Sequence, residues 1–223
     1  HAKRCLYLLL LTLSLVGCGP VYKQVRPNAE DMNKVKTMAI VVPHEGDFTV
    51  IYERAKATGT PVVFFGLVGA AAANMYNDSL DKDNTNAVQQ HLKGLSSRSV
   101  FTGSLGKALA DSGRFVQVQM FDKDLEANEM AKYDAVLTFR IESWGLRLVQ
   151  RSQGEAIAAF VELESNMVRM QGGKVLWDAH DTVIGQATYP LGAYQRDGEL
   201  LRRNIQETLE SAGSRMASTL IYQ

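Results

Sequence analysis

Residues 161–177 read Val161-Glu-Leu-Glu-Ser-Asn-Met-Val-Arg-Met-Gln-Gly-Gly-Lys-Val-Leu-Trp177, and this stretch decides the fold. Val161, Leu163 and Met167 fall on one face of an extended chain, with Glu162, Glu164 and Asn166 on the other. That alternation marks a strand with one face buried and one wet. Gly172-Gly173 supplies a tight hairpin turn, and Val175, Leu176 and Trp177 begin the return strand. The stretch is a β-hairpin whose apolar face needs a cover.

The covers lie on either side. Downstream, Leu201, Ile205, Leu209, Ala212, Met216 and Leu220 recur every three or four positions, an amphipathic helix. Upstream, Phe115 to Phe121 alternates Phe and Val with Gln117 and Gln119, a strand, and a second strand runs from Tyr133 through Val136 and Phe139 to Ile141, with Leu148 as an alternative end. Val88, Leu92, Leu95, Leu105 and Leu109 have helical spacing, in two pieces because Gly94, Gly103 and Gly106 weaken one continuous helix. Ser112-Gly113 is its stop. Thr37-Met-Ala-Ile-Val-Val-Pro43 is a buried strand with its exit. The order strand, helix, strand, strand, hairpin, helix predicts an α/β (α+β) fold, a mixed β-sheet with helices packed on it.

At 223 residues the chain suits one domain, or at most two small ones. Apolar residues at 46% and charged residues at 22% exclude wholesale disorder and a disulfide-stapled miniprotein. Twenty-four basic against 24 acidic side chains leave no broad field for a nucleic-acid partner.

Thr37–Val42, the helix ending at Leu105–Gly113, Phe115-Val-Gln-Val, Tyr133-Asp-Ala-Val-Leu and Gly172-Gly-Lys-Val-Leu-Trp177 follow one another in an order that resembles the TolB amino-terminal domain of the Tol translocation protein. That fold is shared with the curli-secretion-channel lipoprotein and the lipoprotein activators of peptidoglycan synthases. Within it, Asp134-Ala135 and Gly173-Lys174-Val175-Leu176-Trp177 match recurrent segments. The resemblance covers roughly residues 36–185 and implies a protein that works by contact in the cell envelope. A long insertion, about residues 44–85, departs from it.

The amino terminus carries an address. Lys3 and Arg4 precede an apolar run, Leu6 to Val16, interrupted only by Thr12 and Ser14. Eleven helical residues span about 16 Å, roughly half a bilayer core, which is the size of a secretory leader rather than a stable span. Leu15-Val16-Gly17-Cys18 resembles the bacterial lipoprotein signal box. The resemblance implies a leader over 1–17 and a Cys18 that receives diacylglycerol and ends with three acyl chains. Gly19, in place of the Asp of inner-membrane retention, points to the outer membrane, facing the periplasm. The alternative is a buried or disulfide-bonded Cys18, whose only possible partner, Cys5, lies inside the leader. Residues 18–36 then read as lipidated Cys and flexible tether, reaching at most about 60 Å, and 37–223 as a single domain.

Thr58 to Asn77 is a stretch without a charge. Phe64, Phe65, Gly66 and Gly69 within it are candidate partner contacts; ordinary packing against the sheet and a membrane-touching hairpin are the other readings. Asp78, Asp81 and Asp83 follow, without the central Gly and final Glu of an EF-hand loop, and read as a solvated loop. Trp144, between Ser143 and Gly145, is either an exposed interface anchor or core, whereas Trp177 is expected in the core.

Three places in the sequence could carry chemistry. Gly103-Ser-Leu-Gly-Lys107 lacks the upstream Gly and following Ser or Thr of a phosphate loop. Beyond the leader, His44, His91 and His180 form no metal-ligand pair, so no metal or cofactor is expected. Asp178, His180 and Asp181, with Glu162 or Glu164 across the hairpin, could form an acid/base set, but an exposed polar sheet face is the preferred reading. The expected function is non-enzymatic: a lipid-anchored periplasmic protein that assembles or regulates an envelope complex. Its partners would be outer-membrane lipid through acylated Cys18, and another envelope protein or itself. The alternatives are an oligomeric secretion-pore subunit like the curli channel and an envelope hydrolase built on Asp178 and His180.

Overall fold

The computed structural model describes residues 24–51, 82–150 and 155–222. Its elements are α1 (Ala29–Met32), β1 (Thr37–Val41), β2 (Asp47–Ile51), a helical stretch over 82–89 that runs into a single tight turn at Gln90–Leu92, α2 (Ser97–Ser112), β3 (Gln117–Phe121), α3 (Ala127–Met130), β4 (Ala135–Gln150), β5 (Ala156–Arg169), β6 (Val175–Tyr189), α4 (Leu191–Arg196) and α5 (Gly198–Ile221).

The strands form one mixed sheet in the order β3-β1-β4-β5-β6. β1 runs parallel to both β3 and β4, while the long β4, β5 and β6 form an antiparallel meander. The predicted hairpin is there and is longer than its alternating core suggested. The strands close where the Arg169 N–H donates to the Lys174 carbonyl at 2.9 Å, so the loop is the four residues 170–173 rather than a two-residue turn, and it ends on Gly172 and Gly173 at φ +85° and +64°, left-handed conformations that glycine adopts without a Cβ clash. The mixed-sheet fold class expected from the element order is the one observed.

β4 serves two parallel neighbours end to end along one edge. Met38–Val41 of β1 pair with Ala135–Thr138, and β2 pairs with Ser143–Arg147. Between them the β4–β5 register slips at Ile141/Ser143, a bulge that re-aims the strand. Gly145 then sits at φ +148° with the chain of β2 against it: a Cβ there would lie 1.9 Å from the Thr49 carbonyl oxygen. β2 falls inside the segment that the sequence presented only as an insertion.

α2 and α5 lie side by side over one face of the sheet. Phe101, Leu105 and Leu109 of α2, and Leu201, Ile205, Leu209, Ala212, Met216 and Leu220 of α5, are all buried. Leu105, Leu109 and the α5 positions are those read from their spacing; Phe101, one turn earlier on α2, joins them. The helices touch backbone to backbone at Gly213, where a Cβ would come within 2.6 Å of the Phe101 carbonyl oxygen. The Ser104 hydroxyl donates to the Glu210 carbonyl across the same contact at 2.7 Å. The expected break in the first helix falls at Gly94; Gly103 and Gly106 are carried inside α2. Phe101, Phe139 and Trp177 stack edge to face through the core, with ring centres 5.3 and 5.6 Å apart. A smaller apolar cluster, Ala39, Val41, Tyr133 and Val136, occupies the other face beneath Phe121, Leu125 and Met130.

Candidate functional site: the sheet edges and the N-terminal clamp

Residues 24–36, read as part of a tether, are not free of the domain. The Val25 N–H donates to the Asp178 carbonyl and the Val25 carbonyl accepts the Asp178 N–H in return, both at 2.8 Å, an antiparallel bridge on the outer edge of β6. The Arg26 guanidinium grips the Asp181 carboxylate with two hydrogen bonds of 2.7 and 3.0 Å. The Asp181 side chain is only 8% exposed, and its carboxylate holds the Arg26 pKa above its ordinary value. Gln24 donates to the His180 carbonyl at 3.3 Å. The tether reading therefore fails from Gln24 onward, because an open β6 edge more than 150 residues away offers these groups partners.

Asn28 then caps α1, its side-chain oxygen accepting the Asp31 N–H at 3.0 Å, and Met32 and Val35 are buried. Asp31 is nearly buried and takes the Lys174 ammonium at 2.6 Å, with Arg169 at 3.5 Å. The Lys174 hydrogen bond, followed by that from Asn28, holds the Asp31 carboxyl below its ordinary range. The signal for this unit was in the sequence: an Asn cap followed by Glu30 and Asp31 in the first turn. Its brevity hid it.

The two segments that carried the family resemblance turn out to be architectural. Asp134 Oδ2 accepts the backbone N–H groups of both Lys36 and Thr37 at 2.8 Å. It thereby fixes where β1 starts against β4, and these backbone donors lower its pKa. In Gly173-Lys174-Val175-Leu176-Trp177, the Gly turns the hairpin, Lys174 pins α1, and Trp177 is fully buried as expected.

Asp181, level with Leu163 of β5, falls on the apolar face of the meander, and the other acid/base candidates lie on its polar face. Asp178 and His180 share that face, opposite Asn166 and Glu164 of β5, as their spacing predicted. His180 Nδ1 stands 3.7 Å from Glu142, the residue at the β4 bulge. Glu164 faces Arg140 at 3.7 Å, Glu162 is held by Arg147 at 2.9 Å and by the Ser143 hydroxyl at 2.8 Å, and Asp181 belongs to Arg26. Asp124, Thr138, Arg140, Glu164 and Asn166 line a shallow cavity of about 260 Å³ there. Such a face is a ladder of matched charges. Among the described residues no three His, Cys, Asp or Glu side chains converge as a metal-ligand group. Gly103-Ser-Leu-Gly-Lys107 is helical throughout, on the polar groove between α2 and α5.

Trp144 is a correction. It is 7% exposed, packs edge-on against Phe48 at 5.1 Å, and its indole N–H donates to the Gly46 carbonyl at 3.2 Å. The unforeseen strand β2 brings Phe48 over it, so Trp144 offers no surface to a partner. Cys18, Phe64, Phe65, Gly66 and Gly69 lie outside the described residues. Among the described residues, the strand edges without a strand beside them are those of β2, of β3, with Val116 next to it 81% exposed, and of β6 beyond the clamp, where Ile184 is 46% exposed. No described helix is long and apolar enough to cross a membrane.

No family model and no curated protein matches the chain. Among solved structures it is similar to a PelC dodecamer from Paraburkholderia phytofirmans, at 15% identity over 89% of this chain and 94% of that one, with a TM-score of 0.41. It is also similar to protein XCC0632 from Xanthomonas campestris, at 11% identity over 89% and 91%, with a TM-score of 0.45. Lipoprotein GNA1162 from Neisseria meningitidis follows at 13% identity over 72% and 91%, with a TM-score of 0.24. Similarity of this degree carries no functional argument.

Proposed function

We propose that the chain is a non-enzymatic, lipid-anchored protein of the outer membrane, facing the periplasm, that assembles or regulates an envelope complex through protein contacts. The observation that carries this reading is the leader followed by Leu15-Val16-Gly17-Cys18 and, six residues on, by a folded domain whose first described residues are clamped to its sheet. An anchor confines the domain to one surface and makes weak encounters there effectively intramolecular. Three acyl chains hold where a single one is marginal. The non-enzymatic part is supported by the engagement of four of the five acid/base candidates: Asp181 with Arg26, Glu164 with Arg140, Glu162 with Arg147, and His180 beside Glu142. The pore alternative would run through residues 58–85, most of which lie outside the described residues.

The test is metabolic labelling with an alkyne palmitate and fractionation of the envelope, for the native protein and Cys18→Ala. The native protein should carry label and sediment with outer membranes. The variant should lose both and keep its fold. A labelled or still membrane-bound Cys18→Ala protein sinks the anchor. Hydrolysis of an envelope substrate by the native protein that is lost in His180→Ala would sink the non-enzymatic reading instead.

A further inference from the structure

The clamp on β6 sets a limit on how the domain can stand at a membrane. Cys18 and Gln24 are six residue steps apart, at most about 20 Å even fully extended. From Gln24 the chain is held: by the Val25–Asp178 bridge, by the Arg26–Asp181 pair and, past the Asn28 cap, by the burial of Met32 and Val35. The expected reach of about 60 Å from an eighteen-residue tether is thus cut to about a third.

Direction adds to distance. Val25 pairs antiparallel with Asp178, and Gln24 reaches the His180 carbonyl. Followed toward Cys18, the backbone at Gln24 therefore heads along β6 toward Ile184 and away from the hairpin turn. β6 is one margin of the sheet and β3 the other. The four strand spacings between them put these margins about 19 Å apart.

We infer that the acylated Cys18 seats the β6 edge toward the lipid bilayer and turns the β3 edge to the periplasm, so that the N-terminal clamp is an orienting device and the lipid surface is the neighbour of β6. This rests on the lipid-anchor reading. It follows from covalent length and from the place where the chain meets the fold. Without the clamp, the domain would swing on a longer leash with neither margin preferred. With it, β3, whose outer edge has no strand beside it among the described residues, is presented away from the membrane.

The test uses the full mature protein, purified with its acyl chains and reconstituted in phosphatidylethanolamine/phosphatidylglycerol vesicles doped with an acceptor-labelled lipid. Once the leader with Cys5 is gone, Cys18 is the only cysteine and its sulfur is acylated, so one introduced thiol takes a donor dye selectively. Thr182→Cys on β6 and Gln117→Cys on β3 are both exposed positions. The expected result is a distance of closest approach to the lipid plane that is shorter at 182 than at 117 by on the order of 10 Å, a share of the sheet width that allows for tilt. Adding Arg26→Ala should at least halve this difference while the far-ultraviolet spectrum is unchanged. Equal distances, or the reverse order, overturn the inference with the anchor intact. An unchanged difference in the Arg26→Ala protein overturns the role given to the clamp. Absence of acyl mass on Cys18 overturns the anchor reading and the inference together.

Discussion

Replacing Asp134 by Ala removes the acceptor that ties β1 to the start of β4. Oδ2 of Asp134 takes two backbone N–H groups, from Lys36 and Thr37, each at 2.8 Å. Hydrogen bonds to a charged group contribute about 1.5–3 kcal/mol each. Two donors share one oxygen here at a half-exposed site, and water replaces part of what is lost, so the expected cost is about 2–4 kcal/mol. With a urea slope of about 2–3 kcal/mol per molar for a domain of this size, the midpoint should fall by roughly 1 M at pH 7. The pH dependence has a definite sign. The folded-state pKa of Asp134 is lowered by the two backbone donors, so its contribution is present above the unfolded value of about 3.9 and is lost as pH falls through the folded one. The gap between native protein and variant should therefore narrow in acid. Asp31 loses its own contribution in both proteins and cancels from the comparison. Asp134→Asn, which keeps a neutral acceptor, should fall between the two and titrate no carboxylate. Urea unfolding followed by circular dichroism measures all three. A midpoint shift under about 0.3 M at pH 7, or a gap that widens in acid, would refute the reasoning.

Two further outcomes follow from the same structure. Gly145→Ala should force β2 off β4, because the new methyl would stand 1.9 Å from the Thr49 carbonyl oxygen; a loss of about 3 kcal/mol with early hydrogen exchange at the β2 amides is expected, and unchanged protection at Thr49, whose backbone faces Gly145, would contradict it. Lys174→Met should raise the Asp31 pKa toward its ordinary value, since the Lys174 hydrogen bond is the first cause of its depression; a carbon-detected titration of Asp31 reads this, and an unmoved curve would show that Asn28 and Arg169 suffice.

Legibility in the sequence tracked the range over which a signal is written. The hairpin from Val161 to Trp177 and the stripe from Leu201 to Leu220 are local periodicities, and both were found on the faces their spacing assigned. A side chain's alternation or its three-to-four repeat states which way it faces whatever the rest of the chain does. β2 was not legible. A five-residue strand inside an apparent insertion has too few positions to set a period, and its pairing partner, β4, lies almost a hundred residues on. Trp144 stayed open between interface anchor and core for that reason: flanked by Ser143 and Gly145, it has no cover until Phe48 arrives.

The candidate site divides the same way. The proposed acyl-acceptor motif is a run of adjacent residues, Leu15 to Cys18, legible without any tertiary partner, so the sequence by itself carries the proposed anchor. Where that anchor leads depends on Arg26 meeting Asp181 and on Val25 meeting Asp178, partners some 150 residues apart. Taken singly, a polar stretch with two Pro is a tether, and Asp178, His180 and Asp181 are an acid/base set in waiting. Only the tertiary structure decided that the stretch is clamped and the charges are matched. The physical reason is that an open strand edge and an unpaired carboxylate acquire their meaning from whatever folds against them, and that is settled by the sum of all long-range burial rather than by any local run of residues.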